Sequence, residues 1–283
     1  MIKECSLSDC EELYNYQRKI EAPYMFETGF EDWKASMFFD VDGEGRTLFR
    51  EIKTMVAYDG NRIVGYIQYG NTAFGFDDSG EISDQVSHPI IRMLYFDEDY
   101  EKDGTGLLQM ALDYFHGESK IYAFFHYFGM SCYARHGKLF EKYDDIQSLL
   151  KKHGFVVEHE NVYYASEIKD ISDSEIEVIW KEQTSGGQQS AEFRWKGKCI
   201  GECEIHYIGS GEIAYLRWIH INDDLQNNGQ GSKCMGGLRA SLKKMGIKKL
   251  DTDTAINNVR AQHYYEKNAF VKCGITKSFY KEC

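Results

Sequence analysis

Prolines are almost missing. Only Pro23 and Pro89 occur in 283 residues, which excludes a Pro-rich stalk or extended linker. Long apolar runs are missing too, and no stretch approaches the roughly 18 residues that a membrane-spanning helix needs. The opening residues MIKECSLSDC hold no apolar core, so no secretory leader is expected. Positive charge is in deficit: 33 Lys and Arg stand against 45 Asp and Glu, a formal net charge of -12. That balance repels phosphate backbones and anionic lipids. Neither a nucleic acid nor a membrane is an expected partner, and cationic molecules such as amines are favoured. Eight cysteines are present, but a chain of this size without a leader points to reduced thiols and a cytoplasmic location. Cys199 and Cys203 are the closest pair. No second pair or His cluster completes a zinc site, so no metal is expected.

Apolar residues make up 42% of the chain and charged residues 28%, a balance that builds ordinary folded cores. The length suits two domains of about 140 residues each. The chain also repeats itself. Residues 91–106 read IRMLYFDEDYEKDGTG and residues 216–231 read LRWIHINDDLQNNGQG, an ungapped match at an offset of 125. Arg92 falls on Arg217, Gly104 on Gly229, and Gly106 on Gly231. Upstream, residues 55–69 and 192–207 each read as two strands about a tight turn, Asp59-Gly60-Asn61 and Lys196-Gly197-Lys198. Downstream, Leu108, Ala111, Leu112 and Phe115 follow helical spacing, as do Met235, Leu238, Leu242 and Met245, with Gly246 at a C-cap position. A repeat of this length indicates a duplicated domain.

The first half reads as a strand at 2–5, a helix capped by Ser8-x-x-Glu11, and a second helical stretch near 31–52. The hairpin, a strand at 90–96, the glycine turn and its helix follow. A strand at 121–127, a helix at 144–153, and strands near 155–158 and 161–168 complete it. The second half begins after a polar stretch at 169–174, has a strand at 176–183, and reaches its hairpin through the short loop 185–190. The expected fold is α/β with a mixed sheet, in two tandem domains, 1–168 and 175–283. The second lacks the two N-terminal helices of the first.

A strand, a Gly-x-Gly turn and a helix together make an anion site. Glycine lets the backbone close on a ligand, and the helix start offers unpaired N–H groups. A dinucleotide fingerprint needs a third glycine where Gln109 and Cys234 stand, and Gly231-Ser232-Lys233 does not supply a phosphate-loop Gly-Lys-Ser/Thr. The fitting pattern is (Gln/Arg)-x-x-Gly-x-(Gly/Ala) after an antiparallel meander. Gln226-Asn227-Asn228-Gly229-Gln230-Gly231 matches it in full, whereas Glu101-Lys102-Asp103-Gly104-Thr105-Gly106 begins with an acid. A second pattern, Asn-x-x-Ala-x-x-x-Tyr-x-Lys-x-Gly-Phe, matches from Asn258 through Ala261, Tyr265 and Lys267 to Phe270, with Ala269 in place of glycine. With both motifs the chain resembles a tandem protein of the GNAT (GCN5-related) N-acetyltransferase superfamily.

The resemblance implies acetyl-CoA as co-substrate. It implies that the pyrophosphate sits on the backbone of Gln226–Gly231 and Ser232, beside Ile221, with Asn258 on the coenzyme. Tyr265 would protonate the leaving thiolate, with the adjacent Tyr264, on a different face of the helix, as the alternative. The first loop carries acids that repel an anion, and Leu150 stands at the tyrosine position, so the first domain is expected to be weakened and the second catalytic. An amine acceptor would attack the thioester directly. It needs a base, for which Glu212, Glu204 and His220 are candidates. The strand at 213–221 would supply an oxyanion-binding N–H. The expected acceptor is a small-molecule or peptide amine, with a cationic one favoured by the acidic charge, and the protein works as a monomer or homodimer. The competing readings are a non-catalytic acyl-CoA-binding or regulatory protein and an acyltransferase with another donor.

Overall fold

The computed structural model describes residues 1–42, 45–77, 79, 81–169, 174–184, 187–208 and 211–283. The expected linker 169–174 and loop 185–190 lie partly outside the described residues. The chain forms two compact units. One comprises Met1–Asp42, Arg46–Glu160 and Thr276–Cys283, and the bulk of the other is Asn161–Ile275. Among the described residues no helix is long and apolar enough to cross a membrane.

In the first unit, β1 (Ile2–Glu4) is followed by α1 (Cys10–Gln17) and α2 (Phe30–Phe38). The expected Ser8 cap does not form; the capping box, Ser6 with Asp9, belongs to the 3-10 turn before α1. Ser6 N–H donates to Asp9 Oδ2 at 3.0 Å, and a 3-10 turn then leads into the helix. The second helix ends at Phe38 rather than running to 52. Phe49–Asp59 instead forms the strand β2, and Met55–Tyr58 along it are buried. β3 (Arg62–Thr72) returns after a turn in which Gly60 takes φ +59°. A small hairpin, β4 (Gly75–Phe76) with β5 (Ile82–Ser83), precedes β6 (Pro89–Phe96), which is buried throughout. Then come α3 (Glu101–Tyr114), β7 (Lys120–Ala123), β8 (Leu139–Phe140), α4 (Asp144–Lys152) and β9 (Val156–Glu167), whose residues from Asn161 belong to the second unit.

The second unit contains β10 (Glu177–Trp180), β11 (Gln188–Trp195), β12 (Lys198–Ile208) and β13 (Ile213–Ile221). These are followed by α5 (Gln230–Lys244), β14 (Lys249–Ala255), α6 (Val259–Lys267) and β15 (Val271–Glu282), whose residues from Thr276 belong to the first unit. The β11–β12 turn places Lys196 at φ +49° and Gly197 at φ +77°, the conformation that suits a two-residue hairpin. No helix lies between β10 and β11 among the described residues, so this unit lacks counterparts of α1 and α2. Ala191, Phe193, Cys203, Ile205, Leu216, Met235, Leu238 and Leu250 build its core between sheet and helices.

Both units carry the same irregularity. The β3–β6 register shifts so that Arg92 has no partner across the ladder, and the β12–β13 register does the same at Arg217. A bulge of this kind bends the strand and re-aims the side chains beyond it.

The expected boundary at 168 does not coincide with the units. β9 is one strand, and its residues 161–167 pair antiparallel with β14, from Asn161↔Ala255 to Glu167↔Lys249. The end of β15 pairs with β7, from Phe279↔Ala123 to Glu282↔Lys120. The strand order is β1-β2-β3-β6-β7-β15 in the first unit and β9-β14-β13-β12-β11-β10 in the second. Each half of the sequence therefore lends its last strand to the sheet of the other half.

Candidate functional site

In the second unit the glycine turn is an open helix start. Asn227 takes φ +64° and Gly229 φ +86°, so the chain turns through two left-handed residues before α5 begins at Gln230. The first helical bond runs from Lys233 N–H to Gly229 O at 3.3 Å. Gln230 N–H donates to Asn228 Oδ1 at 3.3 Å. The N–H groups of Gly231 and Ser232 come in the first helical turn, where no intrahelical acceptor exists, and they carry the positive end of the helix dipole. Gly231 packs over Tyr264, whose hydroxyl donates to Gly231 O at 2.8 Å. A Cβ there would stand 3.0 Å from that ring.

A second opening lies in the sheet itself. β13 pairs in parallel with β14 only from Ile213↔Lys249 to Leu216↔Thr252. Beyond the bulge at Arg217 the two strands have no further paired residues, and a cleft of about 560 Å³ lies at that end of β13. It is lined by Ile219, His220 and Ile221 of β13, by Gln226, Asn227, Gly229, Gly231 and Ser232 of the turn, and by one face of α6 from Asn258 to Lys267. Among the described residues no aspartate or glutamate lines it. In a chain of net charge -12 this is a local reversal, and it suits an anionic ligand.

The α6 wall is set by its cap. Asn258 Oδ1 accepts from Ala261 N–H at 3.1 Å, so this oxygen holds the helix start and the side-chain NH2 remains to meet a ligand. Two turns on, Tyr265 reaches the cleft from the core and is only 6% exposed. Its ring packs on Tyr164, Tyr264 and Phe270, with centroids 5.8, 5.6 and 5.4 Å away. Burial raises the Tyr265 phenol above its ordinary pKa, against a smaller opposing effect of the Thr252 hydroxyl. The phenol is thus a proton donor throughout the neutral range.

These features coincide with what sequence and structure comparisons find. Residues 149–270 match the model of the Acetyltransferase (GNAT) family. They form a GNAT acetyltransferase domain. The family is one of acetyl transfer, and the match lies within this part of the chain. A tandem GNAT protein from the clavulanic acid biosynthesis pathway is 10% identical with a TM-score of 0.62, and the match covers 100% of this chain and 98% of that one. A GCN5-related N-acetyltransferase from Sphaerobacter thermophilus gives the same identity and score, over 100% of this chain and 95% of that one. The GCN5-related glucosamine N-acetyltransferase region of a fungal multi-domain GH3 beta-N-acetylglucosaminidase is 12% identical with a TM-score of 0.66. There the match covers 99% of this chain and 38% of that protein. At such identities the likeness is one of fold, and the fold is the tandem GNAT fold. No curated protein matches the chain.

The cleft of the GNAT domain gathers most of the residues singled out in the sequence. Ile221, Gln226, Asn227, Gly229, Gly231, Ser232, Asn258, Tyr265 and His220 all line it. Asn228 and Gln230 do not; Asn228 braces the turn instead. Gln226 is also a brace: its Nε2 donates to Ile221 O at 2.6 Å and to Asp223 Oδ1 at 2.8 Å, and its oxygen accepts from Arg260. Glu212 is a correction. It precedes β13 at the end remote from the cleft, is exposed, and ion-pairs with Lys248, so it is not placed to serve as a base. Glu204 is paired with Arg217 at 2.8 Å. Sequence reading passed over Arg260, His263 and Lys267, although their positions within the α6 motif were the available signal.

The first unit closes what the second leaves open. There α3 begins at Glu101, so Gly104 and Gly106 lie inside the helix, where their N–H groups serve the helix ladder. A Cβ on Gly104 would run into the Phe96 ring, which fills the space above it. Leu150, at the tyrosine position, is fully buried. The bulge arginine Arg92 is 1% exposed and ion-pairs with Asp40. It also donates to Phe128 O at 2.7 Å, Ser36 O at 3.0 Å, and Gln68 Oε1 and Gly129 O at 3.1 Å. Side chains thus occupy the region beside this bulge.

Proposed function

We propose that the chain is a cytoplasmic N-acetyltransferase that moves the acetyl group of acetyl-CoA directly to a primary amine, at the cleft of the second unit. The observation that carries this reading is the cleft itself. It is free of carboxylates, opens where β13 leaves β14, and has the unpaired N–H groups of Gly231 and Ser232 at one end and the Tyr265 phenol along its wall. The donor supplies a thioester carbonyl. Gly231 and Ser232 hold its pyrophosphate, with Asn227 and Gly229 shaping the turn and Gln226, Asn228 and Gln230 completing it. Asn258 offers its side-chain NH2 to the coenzyme beside Ile221.

His220 lines the cleft and takes the proton that the amine loses on attack. The C–N bond forms as the C–S bond breaks, and Tyr265 gives its proton to the departing thiolate. The acceptor is an amine of a small molecule or peptide, and the net charge of -12 favours a cationic one. The first unit serves as a structural partner that binds no coenzyme.

Calorimetric titration with acetyl-CoA tests this. One equivalent should bind to the wild type and none to Ser232→Glu. Glutamate suits a first helical turn, so the fold persists while the added charge opposes the pyrophosphate. Two equivalents would overturn the assignment of the first unit. Undiminished binding to Ser232→Glu would overturn the site. Binding without amine acetylation across an acceptor panel would favour the non-catalytic reading, and turnover with longer acyl-CoAs alone would favour another donor.

A further inference from the structure

One wall of the cleft carries charge that the transfer chemistry does not use. Arg260, His263 and Lys267 are spaced three and four residues apart on α6, so they share one side of the helix, and all three line the cleft. Arg260 donates to Gln226, a neutral side chain, and among the described residues no carboxylate pairs with any of the three. A guanidinium and an ammonium two turns apart on one side of a helix suit an anion that spans them.

Acetyl-CoA, the donor in the reading on which this inference rests, carries phosphate at two separate places. One is the pyrophosphate, for which the α5 start provides two fixed N–H groups. The other is a 3′-phosphomonoester, with a charge of about -1.5 to -2 at neutral pH and three acceptor oxygens. The N–H pair is fixed at one end of the cleft and cannot reach both. We propose that Arg260, His263 and Lys267 bind the 3′-phosphate of the donor, so that this chain selects CoA over 3′-dephospho-CoA. The guanidinium and ammonium donate charge-assisted N–H···O bonds to the monoester, and the imidazole adds a third donor.

The test is calorimetric: CoA and 3′-dephospho-CoA titrated into the wild type and into His263→Gln/Lys267→Gln. Arg260 is retained because it braces the turn through Gln226. Both substituted residues are exposed, so the fold should survive, and a thermal melt checks it. Wild type should prefer CoA by roughly tenfold or more. The double variant should lose that preference by binding CoA more weakly while its affinity for 3′-dephospho-CoA stays unchanged. Equal wild-type affinities would overturn the inference and leave the proposed function standing. Equal weakening of both ligands would overturn it too, since the stripe would then act on the shared part of the molecule. A wild type that binds neither ligand would overturn both readings.

Discussion

The two bulge arginines show how one residue type takes different roles in repeated halves. Arg92 is enclosed with Asp40, whose side chain is 4% exposed. Arg92→Met leaves that carboxylate without its closest counter-charge, and a loss of about 3–5 kcal/mol is expected in urea unfolding. Arg217 meets Glu204 in a setting that still reaches solvent, with side chains 17% and 24% exposed, so Arg217→Met should cost less than Arg92→Met. A similar loss for both would refute the contrast. At the cleft, Tyr265→Phe should lower kcat with little change in KM, and His220→Gln should lower it by about 10²–10⁴. Steady-state kinetics with any accepted amine would decide both.

Asp251 offers a pH test. It is fully buried, and burial raises its carboxyl above the ordinary value even though Lys249 and Tyr163 hold the charged form. A raised folded-state pKa gives stability that is full below the unfolded pKa and lost as pH rises through the folded one. Asp251→Asn should therefore raise Tm at neutral pH, with the gain fading toward about pH 4. A variant less stable than wild type at pH 7 would refute this.

Among elements, the exchanged strands matter most. Phe279 on β15 is fully buried in the first unit, so Phe279→Ala should cost about 3–5 kcal/mol. The effect should appear in the unfolding of the half that is distant in sequence, as read by hydrogen exchange at β7. The strands, hairpins and glycine helices were legible because their apolar spacing and turn residues are local signals. The early end of α2, the continuity of β9 and the starting point of α3 were not. Glycine is compatible with a helix interior and with a loop, and the Phe96 ring over Gly104 decided between them in the first unit.

For the whole molecule, reciprocal strand exchange predicts that neither half folds alone. Fragments 1–168 and 169–283 expressed separately should each lack cooperative unfolding, because the first lacks the β15 residues that pair with β7 and the second lacks the β9 residues that pair with β14. A folded isolated fragment would refute that.

Two-domain duplication, the missing helix pair of the second half and the motifs around Gly229 and Tyr265 could all be read along the chain, since each rests on residues close in sequence. Tertiary structure alone decided which residues share the cleft. Glu212 stands just before β13 and His220 near its far end, and only His220 lies where β13 and β14 separate. Strand partners were decided there too. Backbone hydrogen bonding is blind to sequence distance, so β9 and β15 could complete the sheet of either half, and packing chose the exchanged arrangement.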